Sequence, residues 1–127
     1  MCSVGLYYGE QSCQYSFPDG HPLNAQRVQS FWDLIKSQSL LSHKDLKVWP
    51  PLQAGEDAIL IFHTKEYIEF VKKASELGYG YLDYGDTPAY KGVFEASSYI
   101  VGAVLDALDK VVKGEVQHAF ISVGGLH

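Results

Sequence analysis

His118-Ala119-Phe120-Ile121-Ser122-Val123-Gly124-Gly125-Leu126-His127 closes the chain and decides how the rest is read. The stretch 118–123 is an apolar run bounded by a double glycine, which reads as a continuous buried strand. Before it, a helical pattern over 89–113 is apolar nearly all the way round, at Phe94, Tyr99, Ile100, Val101, Val104, Leu105 and Leu108. Such a helix is expected to be buried between layers, and Gly114 ends it. A buried strand after a long helix argues for an α/β protein with a parallel sheet. Ligands of such sheets gather beyond the carboxyl ends of the strands. Gly124-Gly125-Leu126-His127 stands at one such end.

The preceding segments repeat the alternation. Val4-Gly5-Leu6-Tyr7-Tyr8 reads as a first strand ended by Gly9, and the polar, turn-rich stretch 10–22 reads as a loop. Asn24 is a plausible N-cap for a helix over 25–41, with Val28, Phe31, Trp32, Ile35 and Leu40 on one stripe. Leu46-Lys47-Val48-Trp49, cut by Pro50-Pro51, suits a second short strand. A short helix over 58–62 follows. Thr64 then looks like the cap of another helix, with Tyr67, Ile68, Phe70, Val71, Ala74 and Leu77 inward. The stretch 78–88 is an aromatic, glycine-rich loop whose tyrosines suit a binding wall.

The 127 residues (14.1 kDa) suit one domain, able to bury a core without disulfide or metal staples. With 46% hydrophobic and 20% charged residues, the composition excludes a disordered chain. A net charge of −5 argues against nucleic acid as a direct partner. Cys2 and Cys13 fit no metal-ligand spacing and exclude a disulfide scaffold, so the reducing cytoplasm is the expected compartment. No signal-peptide pattern is expected at the start. The greasy stretch 93–112 carries Glu95, Asp106, Asp109 and Lys110, so a core helix is expected there and no membrane span. There is no P-loop, dinucleotide fingerprint, HExxH or GxSxG.

Several residues have two readings. His127, delivered by a double glycine at a strand end, suits acid/base or metal chemistry, or is a frayed terminal residue. Asp86 in Gly85-Asp86-Thr87-Pro88 is placed to cap the following helix, either itself or through Thr87; alternatively it is a rim carboxylate accepting bonds from a substrate's amides. Arg27 is a solvated helix cation or a buried anion contact. His21 and His63 read as turn and helix-start residues.

Taken together, the segments resemble the N-terminal part of a zinc-dependent histone deacetylase. That family belongs to the arginase/deacetylase superfamily and includes the bacterial acetoin-utilisation proteins. The resemblance lies in Gly20-His21-Pro22 with Arg27, in Phe62-His63-Thr64-Lys65-Glu66-Tyr67-Ile68, in Gly85-Asp86-Thr87-Pro88 with Gly92-Val93-Phe94-Glu95-Ala96, and in Gly124-Gly125-Leu126-His127. Four motifs in the family's order span essentially the whole chain. The resemblance implies a three-layer arginase/deacetylase-like fold, a parallel sheet flanked by helices, incomplete in this chain. Residues 1–127 would be its N-terminal segment.

It also implies roles. His127 matches the first histidine of the family's tandem pair, and the second, the principal base, would be the next residue. Asp86 matches the rim aspartate that holds the substrate backbone. Leu126 matches a residue beside the acyl pocket, and Gly124 and Gly125 keep that substrate-binding floor open. Arg27 matches an arginine lining the channel where acetate leaves, and Tyr15 a loop tyrosine nearby. The family's zinc ligands and its transition-state tyrosine lie downstream of these motifs. Zinc is thus implied for the full-length domain, and none is expected to be bound by this chain alone. The implied substrates are acetyl-lysine or acetylated polyamines. The isolated chain is expected to be inactive and to self-associate or need a complementing chain; the alternative is a non-catalytic binding module. Truncation would leave the strand over 118–123 an unpaired apolar edge.

Overall fold

The computed structural model describes residues 3–126. Three strands, β1 (Val4–Tyr7), β2 (Leu46–Trp49) and β3 (His118–Ile121), form one parallel sheet in the order β2-β1-β3. Tyr7 pairs with Trp49 on one side and Ile121 on the other, and Leu6 pairs with Val48 and Phe120. The pleat sends these two sets to opposite faces. Tyr7, Trp49 and Ile121 meet Ala103 and Ala107 of α5 (Val93–Val112), and the Phe120 ring lies 5.2 Å from Phe31 of α2 (Ala25–Ser37). The sheet therefore lies between two helices, as the α/β reading expects.

Local chemistry sets most element ends. Asn24 caps α2 by accepting from the Gln26 amide at 3.1 Å, and Thr64 caps α4 (Lys65–Leu77) by accepting from Tyr67 at 3.2 Å. Gly78, at φ 77°, closes α4 in the left-handed conformation that glycine tolerates. At Gly102, α5 crosses the 52–54 loop so closely that a Cβ would run into the Leu52 carbonyl.

Five expectations are corrected. The stretch 10–22 contains a short helix, α1 (Glu10–Gln14), whose five residues are too few for periodicity to reveal. Helix α2 stops at Ser37, because Ser39 adopts a left-handed φ of 56° and a 3-10 turn (Leu40–Ser42) follows. Helix α3 (Glu56–Leu60) begins two residues early, on Gly55. Neither Asp86 nor Thr87 caps α5, which begins only at Val93 after Gly92. The Phe94 amide is satisfied instead by Ser75 Oγ of α4, at 3.1 Å. That cap crosses 19 residues of sequence and leaves no local signature.

The fifth correction concerns burial. Helix α5 buries Val93, Ala96, Ile100, Ala103 and Ala107 but exposes Val101, Val104, Leu105, Leu108 and Val112. Strand β3 ends at Ile121 and lies at the sheet's edge among the described residues, with Phe120 47% exposed. On α4, Ile68, Val71 and Ala74 are buried, while Tyr67, Phe70 and Leu77 are not. No helix of the described residues is long and apolar enough to cross a membrane.

Candidate functional site

One cluster, Tyr15, Phe17, Val28, Ala96, Ile100 and Val123, packs just beyond the carboxyl end of β3. Tyr8, Leu23, Tyr90 and Leu126 lean on it. Its upper side opens into a cavity of about 290 Å³ lined by Tyr15, Asn24, Arg27, Phe31, Ser122, Gly124 and Gly125, among others. Four residues singled out from the sequence thus share one wall: Tyr15, Arg27, Gly124 and Gly125. A Cβ at Gly124 would meet nothing within 4 Å, so the missing side chain there leaves the cavity open and relieves no clash.

Tyr15 ties the wall together. It is 7% exposed, its ring meets Phe17 edge-on at 5.2 Å, and its hydroxyl accepts from the Leu126 amide at 3.0 Å. Burial pushes the phenol's pKa up, opposed by the Leu126 hydrogen bond. Leu126 is half-buried against the same cluster, so both its amide and its side chain are held. Tyr90 supports the loop from below. Its hydroxyl donates to the Gln14 carbonyl at 2.7 Å and accepts from Ser16 at 3.3 Å, and burial pushes its pKa up to about 12.

Asp86 lies apart from the cavity, on the exposed 78–88 loop. The nearby Asp83 shapes this loop. One of its carboxylate oxygens accepts from the amides of Gly85 (3.0 Å), Asp86 (3.2 Å) and Thr87 (2.9 Å), and the other accepts from the Thr87 hydroxyl (2.8 Å). These donors, the Gly85 amide foremost, hold Asp83 well below the usual carboxylate range. The hydrogen bond and charge of Asp83 push the Asp86 carboxyl up.

The rim and the cavity are joined through His21. Its Nδ1 accepts from the Leu23 amide at 3.0 Å, which leaves Nε2–H to donate to the Asp86 carbonyl at 3.0 Å. The imidazole also lies 4.9 Å from Phe17, the neighbour of Tyr15. His21 is indeed a turn residue, and it also docks the Asp86 loop. His127 lies outside the described residues.

Sequence reasoning missed Asp83, Ser75, Tyr90 and Ser122. Asp83 had a signal: an aspartate followed by Gly85-Asp86-Thr87 is an Asx-turn pattern. Ser75 and Tyr90 act across long sequence separations, and Ser122 lies in no motif, so these had none.

Among the described residues, no group of three or more histidines, cysteines, aspartates or glutamates lies close enough to hold a metal ion. The residues described do not fit a zinc centre, which needs three protein ligands. What they provide is a cationic, hydroxyl-lined cavity beside an acidic, aromatic rim.

Comparison with known proteins bears on this arrangement. The histone deacetylase domain family matches residues 21–127. Acetoin utilization protein AcuC of Bacillus subtilis (strain 168) is 38% identical over 120 residues, covering 89% of this chain and 30% of AcuC. AcuC of Staphylococcus aureus (strain MRSA252) is 29% identical over 135 residues, covering 100% of this chain and 34% of that protein. The chain thus spans about a third of the length of these curated relatives. The crystal structure of the HDA15 HD domain superposes with a TM-score of 0.85 at 19% identity, covering 98% of this chain and 36% of that one, a likeness of fold. The chain belongs to the histone deacetylase domain family.

Proposed function

We propose that residues 1–127 are the N-terminal segment of a larger deacetylase domain and supply its acyl-side cavity and substrate rim. The observation that carries this reading is the shared cavity of Tyr15, Arg27, Gly124 and Gly125 beyond the carboxyl end of β3. Arg27 places a cation where a released acetate would sit. Leu126, held by Tyr15, walls the acyl side, and Asp86 presents a carboxylate to the amides flanking an acylated lysine or acetylated polyamine. His127 follows directly in sequence and is the acid/base candidate. The described residues supply binding and orientation but no metal ligand set, so the isolated segment is inactive. The same reading puts the chain in the cytoplasm, since two cysteines are too few for a disulfide scaffold.

The test is acetate release from an acetyl-lysine peptide and from an acetylated polyamine, with zinc present. The chain alone releases none. Fusion to the remaining two-thirds of the B. subtilis AcuC length restores release, which Arg27→Ala and Asp86→Ala each diminish. Zinc-dependent release by the 127-residue chain alone overturns the reading.

A second reading has its own support. Among the described residues, the stripe Val101, Val104, Leu105, Leu108 and Val112 is an exposed apolar face beside an unpaired sheet edge, the kind of surface that seeks a partner. On this reading the chain is a non-catalytic module that self-associates or pairs with a complementing chain.

A further inference from the structure

A carboxylate on an exposed loop holds a substrate well only where the loop itself is held in advance. Two hydrogen bonds to the backbone of Asp86 do this in different ways. The first is local: the Asp86 amide donates to Asp83 Oδ1 at 3.2 Å, in a turn that Asp83 also closes on Gly85 and Thr87. It sets the shape of the loop and leaves its placement open. The second crosses 65 residues of sequence: His21 Nε2–H donates to the Asp86 carbonyl at 3.0 Å. Among the described residues, this is the hydrogen bond that ties the 78–88 loop to the 15–24 segment at the cavity wall.

The imidazole is held in its turn. Pro22 disfavours helical geometry at His21, and the His21 amide donates to the Pro18 carbonyl at 3.2 Å. Asn24 Nδ2 donates to the His21 carbonyl at 3.0 Å, while Oδ1 of the same side chain caps α2. The ring lies 4.9 Å from that of Phe17, which is buried. Nδ1 accepts from the Leu23 amide, which selects the tautomer with its proton on Nε2. A chain of contacts thus runs from the start of α2, whose first turn carries Arg27, through His21 to Asp86.

We infer that His21 is a positioning residue: it fixes Asp86 relative to α2 and Arg27, so that the rim meets the amides flanking an acylated lysine without first having to order its loop. The inference rests on the deacetylase reading for that substrate. His21 acts through Asp86, so its loss weakens the hold on substrate and leaves the chemical step alone. The bond from Nε2 carries the role, and the bond to Nδ1 only aims the ring.

Two variants separate the two bonds. His21→Asn keeps an acceptor for the Leu23 amide but is too short to reach Asp86, whereas His21→Gln places an N–H where Nε2 stands. In the fused protein acting on an acetyl-lysine peptide, His21→Asn raises KM about fivefold and keeps kcat within about twofold. His21→Gln returns KM to within about twofold of wild type. In the Asp86→Ala background His21→Asn changes KM no further, since the carboxylate it positions is gone. In the 127-residue chain, ¹⁵N relaxation shows added motion at the Gly85, Asp86 and Thr87 amides in His21→Asn and none in His21→Gln, while the α5 amides keep their shifts. A wild-type KM in His21→Asn overturns the proposal. So do a His21→Gln as impaired as His21→Asn, additive losses with Asp86→Ala, or unchanged loop motion. A fused protein that releases no acetate refutes the deacetylase reading instead, and relaxation in the 127-residue chain still decides whether His21 holds the loop.

Discussion

Tyr15→Phe isolates the contact that holds the Gly-Gly-Leu segment. The substitution keeps the ring, its edge-on packing on Phe17 and its burial, and removes one oxygen. What is lost is the acceptor for the Leu126 amide, at 3.0 Å. A net hydrogen bond contributes about 0.5–1.5 kcal/mol, and a fully buried donor left unpaired costs about 1–3 kcal/mol. Leu126 is only half-buried, so water reaches part of the freed amide and the lower range applies. The expected destabilisation is about 1 kcal/mol. For a chain of this size that lowers Tm by about 4 °C. Differential scanning calorimetry reads the global effect. Amide hydrogen exchange reads the local one: protection at Leu126 falls about fivefold, while the amides of α5 lose no more than the global change. Unaltered exchange at Leu126, or a loss spread evenly through the sheet, refutes the idea that Tyr15 anchors this segment.

Asp83→Asn removes the negative charge facing Asp86, and the Asp86 pKa falls toward its ordinary value, measurable by carboxyl ¹³C titration; an unmoved Asp86 refutes the pairing. In the wild type, Asp83 titrates lower folded than unfolded. Its contribution to loop order is therefore present above the unfolded value of about 4 and lost as pH falls below it toward the depressed folded value. The Gly85 and Thr87 amides, followed by NMR from pH 6 downward, should report that loss, and Asp83→Ala should abolish their hydrogen-bonded shifts at every pH. Gly102→Ala drives a methyl into the Leu52 carbonyl and destabilises the chain by about 3 kcal/mol in urea denaturation. Replacing Leu105 and Leu108 with lysine charges the exposed face of α5 and lowers self-association in sedimentation velocity without loss of helix.

Much of the fold was legible because it is encoded over short spans. Asn24 and Thr64 cap the helices they precede, and the strand cores at Val4, Leu46 and His118 lie where apolar runs meet turn residues. The start of α5 was not legible, because its amide is satisfied by Ser75 from another helix. Nor was the short α1, too brief to show a period. The apolar circumference of α5 pointed to burial on all sides, yet among the described residues the stripe Val101, Val104, Leu105, Leu108 and Val112 is exposed.

The sequence alone determined the α/β class, the parallel sheet and the residue types available for chemistry, because periodicity and capping act between near neighbours. It also marked Tyr15, Arg27, Asp86, Gly125 and Leu126 one by one. Only the tertiary structure decided which of them share a space. Tyr15, Arg27 and the double glycine meet at the end of β3, where the parallel register brings segments about a hundred residues apart together. Asp86 stays on a separate rim, held by Asp83 and docked by His21. Only packing showed that Ser122 Oγ is buried without a partner among the described residues. The physical reason is range: side-chain hydrogen bonds act over about 3 Å, a distance that chain order does not specify.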